Sequence, residues 1–232
     1  MTDIVGNETL RDQDVNRIAN VFLSLNIKKG DHVALQLHSS PEFLMCLFGL
    51  SKIGAIVVPV NEQYLSDEAE YILRTSGAVC AVTEPLFFET YEELLQRGLY
   101  FPKGLLVARA GRDSPESEID FSQFYTKPGE EKEGVQSIYN FWEMRCEEST
   151  ELREYVELNS MDPCQIIYTS GTTSKPKGVV VTHANMVFSG LYGDWEVSLR
   201  GSDRVLSSMP ACHSNFQLAA LMPVITAGAS II

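Results

Sequence analysis

The chain has 232 residues, 44% of them hydrophobic, with 31 acidic and 18 basic side chains and a formal net charge of −13. That length supports a sizeable core in one large or two small domains, and the acidic balance argues against nucleic acid, which needs an extended basic surface. No run of 18 apolar residues predicts a membrane-spanning helix, and the polar opening MTDIVGNETLRDQDVNR has no apolar core of a signal peptide.

Along the chain, Val15, Ile18, Ala19, Phe22 and Leu23 recur at helical spacing and predict a first helix, closed by Lys28, Lys29 and Gly30. Residues 33–37 read as a buried strand. Ser40 and Pro41 have the chemistry of an N-cap and first helical position, and the helix they open runs through Phe43, Leu44, Leu47, Phe48 and Ile53 to Gly54. Residues 55–60 are a near-continuous apolar run, as expected of a parallel strand covered on both faces. Ser66 is expected to cap a short helix ending near Gly77, followed by a strand at 78–82, a helix at 89–96 and a strand at 105–108. This alternation predicts an α/β fold: a doubly wound, largely parallel sheet flanked by helices.

Residues 110–134 mix Gly, Pro and Ser with many charges and predict a long, flexible acidic insert. Helical character is expected again over 139–157. Between Glu84 and Glu157 lie 17 acidic residues against 8 basic ones, which reads as a solvated surface. The five cysteines, Cys46, Cys80, Cys146, Cys164 and Cys212, are scattered without a CxxC pair. They predict reduced thiols, a cytoplasmic setting and no structural zinc site.

Residues 166–183, IIYTSGTTSKPKGVVVTH, are the most informative stretch. Two runs of β-formers flank a loop in which Gly171 lets the backbone approach an anion and Ser170, Thr172, Thr173 and Ser174 offer hydroxyl donors. Lys175 and Lys177 add mobile positive charge, and successive backbone N–H groups in such turns form anion-binding concavities. The loop returns into a second strand, so it is not a Walker A loop, which runs into a helix. Neither GxGxxG nor GxSxG occurs in the chain. Residues 163–193 contain both lysines and no acid, a local cationic island in an acidic protein. That placement predicts a small polyanion at one site; the alternative is a solvated Ser/Thr/Lys hairpin. Beyond it, the pattern predicts a helix at 183–198, a strand at 204–209, a helix at 215–226 and an incipient strand at 229. The expected organisation is a first β/α unit over 1–160 and the start of a second over 161–232.

The run YTSGTTSKPKG closely resembles the phosphate-binding signature of the adenylate-forming superfamily, which includes acyl-CoA synthetases, peptide-synthetase adenylation domains and luciferases. The resemblance implies the incomplete N-terminal domain of an ATP-dependent carboxylate–CoA ligase, with ATP, Mg²⁺ and CoA as cofactor and co-substrates. It implies that Thr169, Ser170, Gly171, Thr172, Thr173, Ser174, Lys175 and Lys177 hold the nucleotide phosphates. Thr169 would also contact Mg²⁺, and Lys177 would neutralise charge during catalysis. Met209-Pro210-Ala211-Cys212-His213 resembles the family's strand–Pro–x–x–His motif, which places His213 at the acyl pocket and the path of the thiol; Cys212 stands where many members carry an aromatic residue.

Trp195 on the following helix reads first as core packing and otherwise as a wall of that pocket. His183 and Asn185 match a His-x-Asn at a helix start and are assigned to capping, while His32 and His38 have no assignable partner. The run from the phosphate loop to His213 looks most like the crotonobetaine/carnitine–CoA ligase subgroup. Amino-acid- or aryl-acid-activating relatives, and a non-catalytic module that only binds phosphate or nucleotide, are the alternatives. The resemblance also implies further segments for adenine, ribose and a catalytic lysine that have no counterpart here. The chain is therefore expected to be a truncated part, with a hydrophobic sheet edge at 229–232 open to self-association.

Overall fold

The structure is a computed structural model that describes residues 3–4, 8–108, 124–169 and 175–232. Two short antiparallel strands, β1 (Asp3–Ile4) and β2 (Glu8–Thr9), precede helix α1 (Asp12–Ser24). The chain then alternates through β3 (His32–Leu35), α2 (Pro41–Lys52), β4 (Ile56–Pro59), α3 (Ser66–Ser76), β5 (Cys80–Thr83), α4 (Phe88–Gln96) and β6 (Leu105–Val107). After β7 (Ile138–Asn140) and α5 (Phe141–Glu147) come β8 (Pro163–Thr169), β9 (Lys177–Thr182) and α6 (His183–Val197). The last elements are β10 (Arg204–Val205), a π-helical segment (Asn215–Leu221), α7 (Met222–Ala227) and β11 (Ser230–Ile231).

Seven strands form one sheet in the order β7-β6-β5-β3-β4-β8-β9, parallel throughout except for the antiparallel β8–β9 pair. The doubly wound, largely parallel sheet expected from the alternation is therefore present. Alternate residues along each strand reach opposite faces. Val33, Leu35, Val57, Cys80, Val82 and Leu106 pack with α1, α2 and α5 residues such as Ile18, Phe22, Phe43, Leu47 and Phe141. Ala34, Val58, Ala81, Leu105 and Val107 pack with Ala69, Ile72, Leu73, Tyr91 and Leu94 from α3 and α4. Full burial of such side chains stabilises by roughly 1.5–3 kcal/mol each, and the double coverage explains why the strands read as unbroken apolar runs.

The hydrogen bonds carry this sheet across residue 160, because β8 pairs with β4 at Val57 and Gln165. The strands after the hairpin form a separate parallel ladder of β10 with β11. Its pairing extends past the strand ends, with Ser207 N–H donating to Ile232 O (2.9 Å) and Ile232 N–H to Val205 O (2.8 Å).

Four local expectations change. The helix expected over 139–157 begins with strand β7 and ends at Glu147. The reason is Asn20, buried on α1: its Nδ2 donates to Ser149 O (3.0 Å) and Glu151 O (2.8 Å), and its Oδ1 accepts from Arg153 N–H (2.9 Å). A backbone held that way cannot continue the helical ladder. Ser66 does not cap α3; Leu65 precedes the helix, its N–H is taken by Glu68 Oε2 (3.0 Å), and Ser66 Oγ donates to Glu93. Helix 215–226 divides into a π-helical turn and α7, with Pro223 near the junction supplying no N–H to a regular ladder. The expected strand over 204–209 shortens to two residues. Of the acidic insert, 110–123 lies outside the described residues, and 124–134 contains neither helix nor strand.

The N-cap at Ser40 is as expected. Ser40 Oγ accepts from Phe43 N–H (3.3 Å) and Pro41 occupies the first helical position. Gly77 ends α3 in the left-handed conformation (φ +64°) that suits glycine.

Candidate functional site

Strands β8 and β9 form the hairpin that the sequence predicts around the hydroxyl- and lysine-rich loop. Thr169 pairs with Lys177, Tyr168 with Gly178 and Ile166 with Val180. Thr169, Lys175 and Lys177 are exposed at its loop end; Ser170, Gly171, Thr172, Thr173 and Ser174 lie outside the described residues. The structure therefore brings Thr169 beside Lys177, with Lys175 two residues before it. Gly178 is required here, because a Cβ would meet Ile166 Cγ2 at 2.7 Å and then the Tyr168 ring.

One arrangement at the loop has no counterpart in the sequence reading. Helix α3 buries Ala69, Ile72, Leu73 and Ser76, which leaves Tyr71 and Thr75, one turn apart, on a flank toward the hairpin. Lys175 Nζ sits 5.1 Å from the centre of the Tyr71 ring, inside the range of a cation–π contact. Tyr71 Oη–H donates to Pro176 O (3.2 Å). Thr75 Oγ1 donates to Tyr71 O (2.6 Å), which uses its only proton. It therefore accepts from Tyr168 Oη–H on β8, at 3.1 Å. About a hundred residues separate the partners in sequence, and only the winding order that places α3 on the same sheet face as Ile166 and Tyr168 joins them.

A second cluster lies where the winding reverses. From β3 the chain adds β4 on one side, then β5, β6 and β7 on the other, so the switch point is between β3 and β5. Ligands of open α/β sheets bind outside the carboxyl ends of strands at such a point. Just past those ends, His38 Nδ1 contacts the Glu84 carboxylate, and the imidazole packs on Phe87 at 4.9 Å between ring centres. Glu84 is fully buried and its Oε2 has no hydrogen-bond partner among the described residues. Burial pushes its pKa up, against the opposing effect of His38. His32, at the start of β3, meets Ser76 O through Nδ1 (2.5 Å). Both early histidines thus have partners that the sequence did not reveal.

Met209-Pro210-Ala211-Cys212-His213 crosses the carboxyl end of β3. Ala211 N–H donates to Ser39 Oγ (2.9 Å) and Gln217 Nε2 to Ala211 O (2.9 Å). Beside it lies a cavity of about 170 Å³ lined by Ser39, Ser40, Leu44, Ser207, Met209 and Phe216, among others. His213 is exposed and does not line it; its Nδ1 accepts from Asn215 N–H (3.1 Å), so the ring proton is on Nε2. Cys212 is half-buried, and burial raises its pKa.

Trp195 is not a core residue: it is 76% exposed and touches Tyr192 at 6.0 Å between ring centres. At the start of α6 the capping residue is Thr182, whose Oγ1 accepts from Asn185 N–H (3.2 Å) while Asn185 Oδ1 accepts from Thr182 N–H (2.9 Å). Asn185 caps, as expected. His183 does not, since its Nε2 is buried without a hydrogen-bond partner among the described residues.

An exposed Thr hydroxyl and two exposed lysines at one hairpin end can hold an oxyanion of several charges and contribute one oxygen to a hard cation. Magnesium takes several further oxygens, and phosphate and water are their natural source at such a place. The residues present fit that role.

A family model described as AMP-binding enzyme matches residues 11–232. The crotonobetaine/carnitine–CoA ligase of Salmonella agona (strain SL483) is 38% identical over 221 residues, which cover 95% of this chain and 39% of that protein. The enzyme of the same name from Salmonella typhimurium (strain LT2) is 37% identical with the same coverage. Among solved structures, the anthranilate CoA ligase AuaEII in complex with anthranoyl-AMP superposes with a TM-score of 0.78 at 25% identity, over 95% of this chain and 38% of that one. The N-terminal domain of FACL13 from Mycobacterium tuberculosis gives 0.70 at 27% identity, over 94% and 48%. The chain thus spans 39% of the length of the curated relatives it matches.

Proposed function

Because this chain belongs to the AMP-binding enzyme family, we propose that it is the N-terminal, phosphate-holding part of an ATP-dependent carboxylate–CoA ligase. The observation that carries the reading is the β8–β9 hairpin, which brings Thr169 beside Lys177 at the end of a loop between two strands, in a segment free of acids. In this reaction a carboxylate oxygen attacks the α-phosphorus of ATP, and pyrophosphate leaves. The CoA thiol then attacks the acyl carbon, loses its proton, and AMP leaves with the electron pair of the broken acyl–phosphate bond.

The loop's work is positioning and charge neutralisation. Ser170, Thr172, Thr173 and Ser174 donate hydroxyls to the β- and γ-phosphates, Gly171 lets the backbone come close, and Lys175 and Lys177 balance their charge. Thr169 offers one oxygen to Mg²⁺, which when bound neutralises phosphate charge. His213 and Trp195 contribute to the acyl pocket and the path of the thiol. Residues 1–160 and 161–232 are read as two β/α units, and free cysteines at 46, 80, 146, 164 and 212 support a reducing, cytoplasmic setting. Nucleic acid is not a partner in this reading.

The substrate proposed first is a short carboxylic acid of the crotonobetaine or carnitine type, supported by the 38% identity to that ligase. An aryl acid is the second reading, favoured by the superposition on an anthranilate CoA ligase.

The test is pyrophosphate release from ATP with a panel of carboxylates, with and without CoA, on this chain and on a protein of the relatives' full length. The 232-residue chain is expected to form no thioester and to bind ATP or pyrophosphate weakly, with affinity falling as salt rises. In the longer protein, Lys177→Ala is expected to lower adenylation by roughly 10²-fold, and Lys175→Ala by less. Equal, small effects of the two substitutions, or thioester formation by the short chain above its own Lys177→Ala control, would overturn the assignment.

A further inference from the structure

We propose that Tyr71, supported by Thr75, is a positioning residue that braces the phosphate loop from the outside. The inference rests on the reading of the hairpin end as a phosphate site, but the brace itself is visible without a ligand. Three contacts tie α3 to the two limbs of the hairpin, two of them on the limb that descends into β9 and one on β8. The Tyr71 ring faces Lys175 Nζ at 5.1 Å, its hydroxyl donates to Pro176 O at 3.2 Å, and Tyr168 of β8 donates to Thr75 Oγ1 at 3.1 Å.

Their chemistry is complementary. Pro176 has no N–H and can join a neighbour only as an acceptor, and the Tyr71 hydroxyl supplies the donor. Lys175 is an exposed cation on a flexible stem, and an aromatic face restrains it without removing its charge. Pro176 and its neighbours are the residues that lead directly into Lys177 at the start of β9. Both limbs of the hairpin are thereby tied to one helix: β8 through Tyr168 and Thr75, and the returning limb through Tyr71. α3 is itself a rigid mount, because its Ile72 and Leu73 are fully buried between the sheet and α4. Pre-placed lysines reach a phosphate without first giving up the conformational freedom of a loose loop, which is how preorganisation raises affinity.

The experiment uses Tyr71→Phe, which keeps the ring and loses the hydroxyl, Tyr71→Leu, which loses both, and Thr75→Val, which removes the tie to β8. The first readout is the rate of native-state tryptic cleavage after Lys177 with no nucleotide present; Lys175 precedes proline and is not cut. Cleavage is expected to rise about threefold for Tyr71→Phe and about tenfold or more for Tyr71→Leu, with Thr75→Val between them, the scale expected from one or two contacts of order 1 kcal/mol. The second readout is titration with inorganic pyrophosphate, where affinity is expected to fall in the same order, about three- to tenfold. Far-ultraviolet circular dichroism checks that each variant is folded, and Tyr71→Phe, being nearly isosteric, keeps the test valid if Tyr71→Leu is not. Unchanged cleavage in Tyr71→Phe and Thr75→Val would overturn the brace. Faster cleavage with unchanged pyrophosphate affinity would overturn its positioning role. A wild-type chain that binds no pyrophosphate would refute the phosphate reading instead, while the cleavage rates still decide the brace.

Discussion

At the scale of single residues, burial and geometry change what a side chain can do more than its chemical type suggests. The place of His183 at a helix start predicts a capping role, yet Thr182 and Asn185 satisfy that end between them. The imidazole is instead half-buried, and burial holds its pKa below the ordinary histidine range; nearby Asp162 opposes the shift and Lys29 adds to it. A depressed histidine contributes stability that is present above its unfolded pKa of about 6.5 and is lost as pH falls through the folded value. The denaturation midpoint is therefore expected to drop between pH 7.5 and pH 5.5, and His183→Phe to drop less over the same interval. Parallel pH dependence in the two proteins would refute the assignment. Glu84 has the opposite sign, since burial raises its pKa, so the comparison has to be made against the variant and not read from the wild-type profile alone.

At the scale of elements, helix α6 shows how a segment can be correctly placed from sequence and still carry an unexpected environment. Its bounds agree with the expected 183–198 within one residue. Its apolar residues surround the axis, a pattern that normally marks a buried helix, yet only Met186 and Gly190 are buried. Gly190 is where it meets α7: a Cβ there would lie 2.5 Å from Thr226 Oγ1 and 2.9 Å from Met222 O. Gly190→Ala is expected to destabilise by about 1–3 kcal/mol, the usual cost of forcing a group into a packed contact. A second substitution, Thr226→Ala, should restore only part of it, because the Met222 carbonyl belongs to the backbone. Full recovery in chemical denaturation would mean that the helices separate easily.

At the scale of the whole molecule, the exposed apolar surface sets the behaviour in solution. Val187, Phe188, Leu191, Tyr192 and Trp195 share one face of α6, and Val179 and Val180 of the edge strand β9 lie on opposite faces of the sheet, all at least half or nearly half exposed. An exposed apolar helix face of that kind marks a contact surface. The edge at 229–232, expected to be the sticky one, is partly satisfied by pairing with β10, and Ile231 is buried. Self-association is thus expected through β9 and α6: light scattering should show mass rising with concentration in the micromolar range, and Phe188→Ser with Trp195→Ser should suppress the rise. A monodisperse monomer in the unsubstituted chain would rule this out. No helix among the described residues is long and apolar enough to cross a membrane.

Local chemistry made several features legible in advance. The periodicity around Phe22, the Ser40–Pro41 helix start, the helix end near Gly77 and the two β-branched runs flanking the lysine loop each depend on residues within a few positions of one another. The helix over 139–157 failed for the converse reason: Asn20, more than a hundred residues earlier, takes the backbone groups that a helix would need. Tyr71 against Lys175, His38 against Glu84, the exposure of Trp195 and the placing of β8 beside β4 belong to the same class. Sequence by itself determined the fold class, the paired strands on either side of the loop and the absence of acids around its lysines, because these follow from short-range propensity, spacing and charge. Only the tertiary structure decided which helix packs beside the loop and that Glu84 lies buried against His38, because strand order brings distant residues within a few ångströms and carries no local signal.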